Sequence, residues 1–146
     1  MTKNEIVVGI DGSAAGAAAM QWAENEARLR GSDLRIVVAW QVDNATLMAG
    51  VGIPWLAMES DVRSHAANWV KDAIGDVDTD GKPRAIEIIQ GVPGPSLVQA
   101  SADSQMLVVG TQVHRGLSRV MHGSVSHYCL THASNVVVAV PAPAED

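Results

Sequence analysis

The sequence predicts a doubly wound α/β domain, a five-stranded parallel sheet in the order 3-2-1-4-5 with helices on both faces. Three observations carry this. Five short apolar runs rich in β-branched residues recur along the chain, centred near Val7, Val37, Ile88, Val108 and Val138. Helical patterns separate each run from the next. The runs are nearly continuous rather than alternating, as strands covered on both faces require. Right-handed crossovers then leave few layouts, and 3-2-1-4-5 is the one selected.

Ile6-Val7-Val8-Gly9-Ile10 is the first strand, and it stops at Asp11-Gly12-Ser13. Residues 13–30 form the first helix. Ser13 or Asp11 caps it and Gly31 ends it. Its expected apolar stripe runs through Ala15, Ala18, Ala19, Trp22 and Leu29, with Glu24, Arg28 and Arg30 pointing elsewhere. Residues 34–40 are the second strand. Residues 41–54 lack periodicity and hold Gly50, Gly52 and Pro54, so they read as a loop, with Met48 on a candidate lid.

Residues 55–74 carry the clearest helical period. Trp55, Met58, Val62, His65, Ala66, Trp69, Val70 and Ala73 recur on one face. A polar turn over 76–83 leads to the third strand, 85–89. The third helix opens at Pro93, where proline suits the first turn, and runs to about Asp103. Met106 to Val109 form the fourth strand, ending at Gly110. A polar, basic loop spans 111–122. The last helix runs from Gly123-Ser124 to His132, and the last strand from Val136 to Val140. No internal repeat interrupts a single domain spanning 1–146.

Composition narrows the function. The chain has 146 residues and a net charge of −6, and a nucleic-acid binder normally shows a basic stripe instead. No apolar run approaches the ~20 residues that span a bilayer. The N-terminal residues carry no basic and apolar leader, and Cys129 is the single cysteine, so a reduced cytoplasmic setting is expected.

In sheets of this order, ligands sit outside the carboxyl ends of the strands where the winding reverses. That point lies between the first and fourth strands. It receives Gly9, Ile10 and Asp11 from one side, and Val109, Gly110 and the following loop from the other. The helix after the loop starts at Gly123-Ser124, and Val125 and Ser126 follow in its first turn. Free N–H groups and the helix dipole suit such a start to phosphates. Arg115, together with His114, Arg119 and His122, adds local positive charge to the loop that also holds Val113 and Gly116. Asp11 faces this loop as an acceptor for ribose hydroxyls, and Ala39, beside Trp40 at the end of the second strand, lines the place where a base would lie.

The opening Val-Val-Gly-Ile-Asp-Gly-Ser, the Ala39-Trp40 strand end, the Gly91-Val92-Pro93 turn and this loop and helix resemble the universal stress protein family over residues 4–141. The resemblance implies the same five-stranded fold. In the nucleotide-binding branch of the family, a Gly-x-x-Gly, nine residues, Gly-Ser/Thr pattern wraps the phosphates and ribose of ATP. This sequence matches at Asp11, Gly110, Gly123 and Ser124, and departs at the second glycine, where Val113 stands. A β-branched residue adopts φ > 0 poorly and crowds a phosphate. Two expectations follow. One is a stress-response regulator binding ATP with Mg2+, or cAMP as the alternative ligand. The other is a family member that does not bind ATP and acts through dimerisation and unknown protein partners. A homodimer formed through the edge strand Val136–Val140 is expected in either case, with no nucleic acid and no membrane as partner.

Other constellations carry less. Four of the five histidines fall between 114 and 132, but His127 and Cys129 face different sides of a helix, so a polar face explains them better than a metal site. His65 reads as a packed histidine. No Gly-Lys-Ser/Thr rides a phosphate and no nucleophile elbow is visible, so any enzyme activity is limited to weak ATP hydrolysis without an assigned base.

Overall fold

The computed structural model describes residues 2–41, 55–75, 84–111 and 124–143. The elements are β1 (Glu5–Gly9), α1 (Ala14–Arg30), β2 (Asp33–Trp40), α2 (Trp55–Ile74), β3 (Arg84–Gln90), α3 (Pro93–Ala100), β4 (Met106–Thr111), α4 (Ser124–His132) and β5 (Val136–Pro141). The sheet order is β3-β2-β1-β4-β5 with every pairing parallel. The expected fold is therefore the observed one.

The central strands are dry on both faces. Ile6, Val8, Ile36, Val38 and Val108 pack against α1 and α2, where Ala19, Met20, Ala23, Ala66 and Val70 meet them. Val7, Val37, Leu107 and Val109 point the other way, against Leu97 of α3 and Cys129 of α4. This is why the runs are continuous in sequence: consecutive side chains face opposite layers, and both layers are apolar.

Local chemistry fixes the helix ends. Ser13 caps α1, its hydroxyl accepting from Gly16 N–H at 3.0 Å. At the other end Gly31 takes φ 64°, while Gly31 N–H and Ser32 N–H donate to the carbonyls of Arg28 and Ala27. This is the Schellman arrangement that glycine permits without a Cβ penalty. Pro93 opens α3, and Val92 before it supplies no side-chain cap.

Four sequence expectations are corrected. Leu29 is 75% exposed, whereas Glu24 is buried beside Ala23 and Ala27. The alanine-rich helix turns its smallest face inward, and Arg84 of β3 compensates Glu24 with a direct ion pair, joined by Arg28. His65 is exposed, stacked near Trp69 with ring centroids 6.3 Å apart, so it lies on the rim of α2 and outside the core. Helix α3 stops at Ala100, where Ser101 leaves helical geometry with φ −96° and ψ 2° while its hydroxyl donates to the Leu97 carbonyl. β4 continues through Gly110 to Thr111, which pairs with Pro141 of β5 and is buried. Met48, the 42–54 and 76–83 segments and the side chains of Trp55 and Met58 lie outside the described residues.

Candidate functional site

A crevice of about 310 Å³ opens at the carboxyl ends of β1, β2 and β4. It sits at the reversal of winding, where β1 has β2 on one side and β4 on the other. Gly9 and Ile10 leave β1 along one wall. Ile10 N–H donates to the Val37 carbonyl at 3.1 Å, which holds the chain against β2 for one further residue. Val37 and Ala39 of β2 and Leu97 of α3 form an apolar pocket at one end. Gly9 keeps this end tight, since a Cβ at this position would stand 2.6 Å from Leu97 Cδ1 and the leucine would have to shift.

Three helix starts converge on the crevice. Ser13, Ala15 and Gly16 come from α1, Pro93 from α3, and Ser124, Val125 and Ser126 from α4. The first-turn N–H groups of a helix are not used inside it, and its N-terminus carries roughly half a positive charge. The arrangement gives an acidic protein a local preference for anions. Asp11 is the one ionisable residue on the described lining.

Asp11 is held in place from within. Its Oδ1 accepts from Ser13 N–H at 3.0 Å and from the Ser13 hydroxyl at 2.5 Å. The Ser13 hydroxyl in turn accepts from Gly16 N–H. The carboxylate is thus tied to the α1 cap through one oxygen, and among the described residues nothing donates to the other. Ser126 is buried, and its hydroxyl donates to Thr111 Oγ1 at 3.3 Å, pinning the first turn of α4 to the end of β4. Ser124 is exposed at the mouth.

Gly110 has a second role. A Cβ there would stand 2.5 Å from the Ala15 carbonyl carbon and 2.8 Å from Gly16 N. Its bareness lets α1 lie directly on the end of β4, so α1 and β4 share one wall of the crevice.

Of the residues expected from sequence, Gly9, Ile10, Asp11, Ala39, Val109, Gly110, Ser124, Val125 and Ser126 are brought together here. Val113, Arg115, Gly116 and Gly123 lie outside the described residues. Sequence reasoning missed Ser13, Ala15, Gly16, Val37, Pro93 and Leu97. The signal for Ala15 and Gly16 was available, because a helix starting straight after β1 must place its first turn at the same strand end. Pro93 follows from the same logic after β3.

Cys129 lies on the inner face of α4 and is fully buried; burial pushes its thiol up to about 11, so it remains a protonated packing residue. Among the described residues no three His, Cys, Asp or Glu groups gather in a metal-holding cluster. No described helix is long and apolar enough to cross a membrane.

Comparison with known proteins agrees with this geometry. A sequence model of the universal stress protein family matches residues 3–141. A universal stress protein of Mycolicibacterium smegmatis is 32% identical over 148 residues, covering 95% of this chain and 48% of that protein. One from Mycobacterium tuberculosis is 37% identical over 145 residues, covering 96% and 50%. The chain thus spans about half the length of the curated relatives it matches. Among solved structures, the universal stress protein UspA from Lactobacillus plantarum superposes with a TM-score of 0.71 at 23% identity, covering 96% of this chain and 99% of that one. A universal stress protein in complex with cAMP superposes at 0.62 with 20% identity over 98% and 100% of the two chains. The Archaeoglobus fulgidus universal stress protein in complex with dAMP also gives 0.62 at 20% identity, over 96% and 99%. At these identities the structures speak for the fold, and the family match for descent: the chain belongs to the universal stress protein family.

Proposed function

We propose that this chain is a cytoplasmic nucleotide-binding regulator of the stress response, with ATP and Mg2+ as the ligand of the switch-point crevice. The observation that carries it is the convergence of three helix starts on a space that also presents the Asp11 carboxylate. Helix starts favour phosphates, and a carboxylate favours ribose hydroxyls. The volume falls in the range of small-molecule sites. The cAMP and dAMP bound by the two neighbouring structures support the adenine nucleotide class.

The roles follow from position. The Asp11 oxygen not used by Ser13 accepts from the ribose. Val37, Ala39 and Leu97 take the base. Ser124 and the first-turn N–H groups of α4 take phosphate oxygens. Mg2+ keeps most of its waters and binds chiefly through substrate phosphates, so it leaves the Asp11 carboxylate to the ribose. Calorimetric titration of nucleotide-stripped protein with MgATP, then with cAMP, tests this. Micromolar binding is expected. No heat from either ligand, with an unshifted melting temperature, overturns it.

Val113 at the second motif glycine favours a second reading, in which the protein binds no nucleotide and works through its surface. If only the Val113→Gly variant binds, this second reading stands.

Both readings include a homodimer through β5. The two sheet edges differ: β3 carries Arg84 and Glu87, whereas β5 carries no charged residue and exposes Val136 to 60%. Charges on an edge discourage pairing and an apolar edge invites it. Antiparallel pairing of two β5 strands is expected, and a strictly monomeric mass by light scattering at micromolar concentration refutes it.

A further inference from the structure

Behind the Asp11–Ser13 turn lies a second, smaller cavity of about 170 Å³, between α1 and α2. Ile10, Met20 and Ala73 give it an apolar floor, and Trp69, Gln21 and Asp72 give it polar groups. Trp69 is fixed against Gly12, whose φ is 84° and where a Cβ would come within 2.6 Å of the indole. The indole Nε1–H has no acceptor among the described residues. Gln21 Nε2 donates to the Ala73 carbonyl at 3.1 Å, which orients its amide. Asp72 is exposed and is the only charged residue on the described lining.

These groups define a ligand chemistry different from that of the first crevice. One donor on Trp69 asks for an acceptor, and the Asp72 carboxylate asks for a donor. Trp69 and Asp72 stand three residues apart on one helix, so they are neighbours on its surface. The described lining supplies no cationic side chain, so an anion finds only the Asp72 charge there. The space is close to the roughly 150 Å³ that encloses one benzene ring. We propose that this cavity is a second small-molecule site, for a single-ring heterocycle carrying an amino group. A ring nitrogen accepts from Trp69 Nε1–H, and the amino group donates to Asp72. The site is independent of whether the first crevice binds a nucleotide.

The test uses the full chain with 15N-labelled indoles and 2-aminopyridine as probe. The Trp69 resonance is assigned by its loss in Trp69→Phe. A saturable shift of that resonance at millimolar probe is expected. Asp72→Asn, at an exposed position, should weaken it at least about tenfold, as loss of a charge-assisted hydrogen bond does. Ala17→Met, on the α1 wall of this cavity and not of the first, should abolish the shift by filling the space. Benzoate, an anion of similar size, should leave the resonance in place. An unmoved Trp69 resonance, an equal response to benzoate, or unchanged binding in either variant overturns the proposal.

Discussion

Gly110 of β4 lies in backbone contact with Ala15 of α1, so close that a single added methyl would stand 2.5 Å from the Ala15 carbonyl oxygen. The obstacle is backbone on both sides, and neither a strand end nor a helix start yields without dragging its element. Gly110→Ala should therefore destabilise the fold by about 3 kcal/mol, at the upper end of overpacking effects. Gly94 offers a contrast of degree, because the nearest neighbours of its added Cβ are side-chain atoms of Tyr128 at 2.9 to 3.1 Å rather than backbone at 2.5 Å. Gly94→Ala should cost clearly less in the same urea titration.

Asp11 links stability to the site. Removing the Ser13 hydroxyl, the cap of α1, should cost about 1 kcal/mol. Asp11→Ala frees Ser13 from the side chain that anchors it among the described residues, so it should lower the melting temperature and weaken nucleotide binding at least about tenfold. Asp11→Asn keeps the acceptor oxygen and should recover the stability more than the binding. Paired thermal melts and titrations separate the two losses.

The Glu24–Arg84 pair ties α1 to β3 across the edge of the core, with side-chain exposures of 10% and 4%. Breaking a buried pair costs most when a charge is left alone, and here Arg28 still faces Glu24. Arg84→Met or Glu24→Gln alone should each cost less than the about 3 to 5 kcal/mol of an isolated buried pair, and the double change to apolar residues markedly less than the sum. A double-mutant cycle by denaturant unfolding checks this.

Cys129 makes the protein sensitive to alkali. Its folded value, about 11, lies above the ordinary 9.0 of the thiol. Below pH 9 both folded and unfolded chains hold the proton and this contribution is fully present. Between 9 and 11 the unfolded chain ionises first, so stability falls as pH rises. Cys129→Ala should remove that part of the fall. Urea midpoints on the two sides of this window, for both proteins, decide it.

Val136→Lys tests the edge without touching the core. The side chain is 60% exposed, so the stability of the subunit should hold within about 0.5 kcal/mol. The proposed β5 dimer should dissociate at lower dilution than that of the unsubstituted protein, read by light scattering.

The strands were legible because two-sided burial leaves an unmistakable mark: Ile6-Val7-Val8 and Leu107-Val108-Val109 have no polar face to confuse the reading. Helix α1 was legible as a helix but not in its orientation. Alanine gives little contrast between faces, and the partner that makes Glu24 an inward residue, Arg84, is remote in sequence. Thr111 reads as loop by composition, yet its pairing with Pro141 extends β4 and offers a buried hydroxyl to Ser126. In the site, the strand-end residues were readable from the topology alone. Leu97 was not, because its place against Gly9 depends on how α3 settles on the sheet.

The strand order also bears on biosynthesis. β1 occupies the middle of the sheet, and Val7 pairs on one side with Arg35 and on the other with Leu107. As the chain emerges from the ribosome, β1, β2 and β3 can associate early, but one flank of β1 stays bare until β4 arrives. Such long-range closure is slow, and a bare apolar flank is a template for wrong partners. The nascent protein therefore spends much of its synthesis as an incomplete sheet in which β1, buried in the finished fold, keeps one flank open. Conditions that slow translation should prolong that exposure and raise its demand for chaperones.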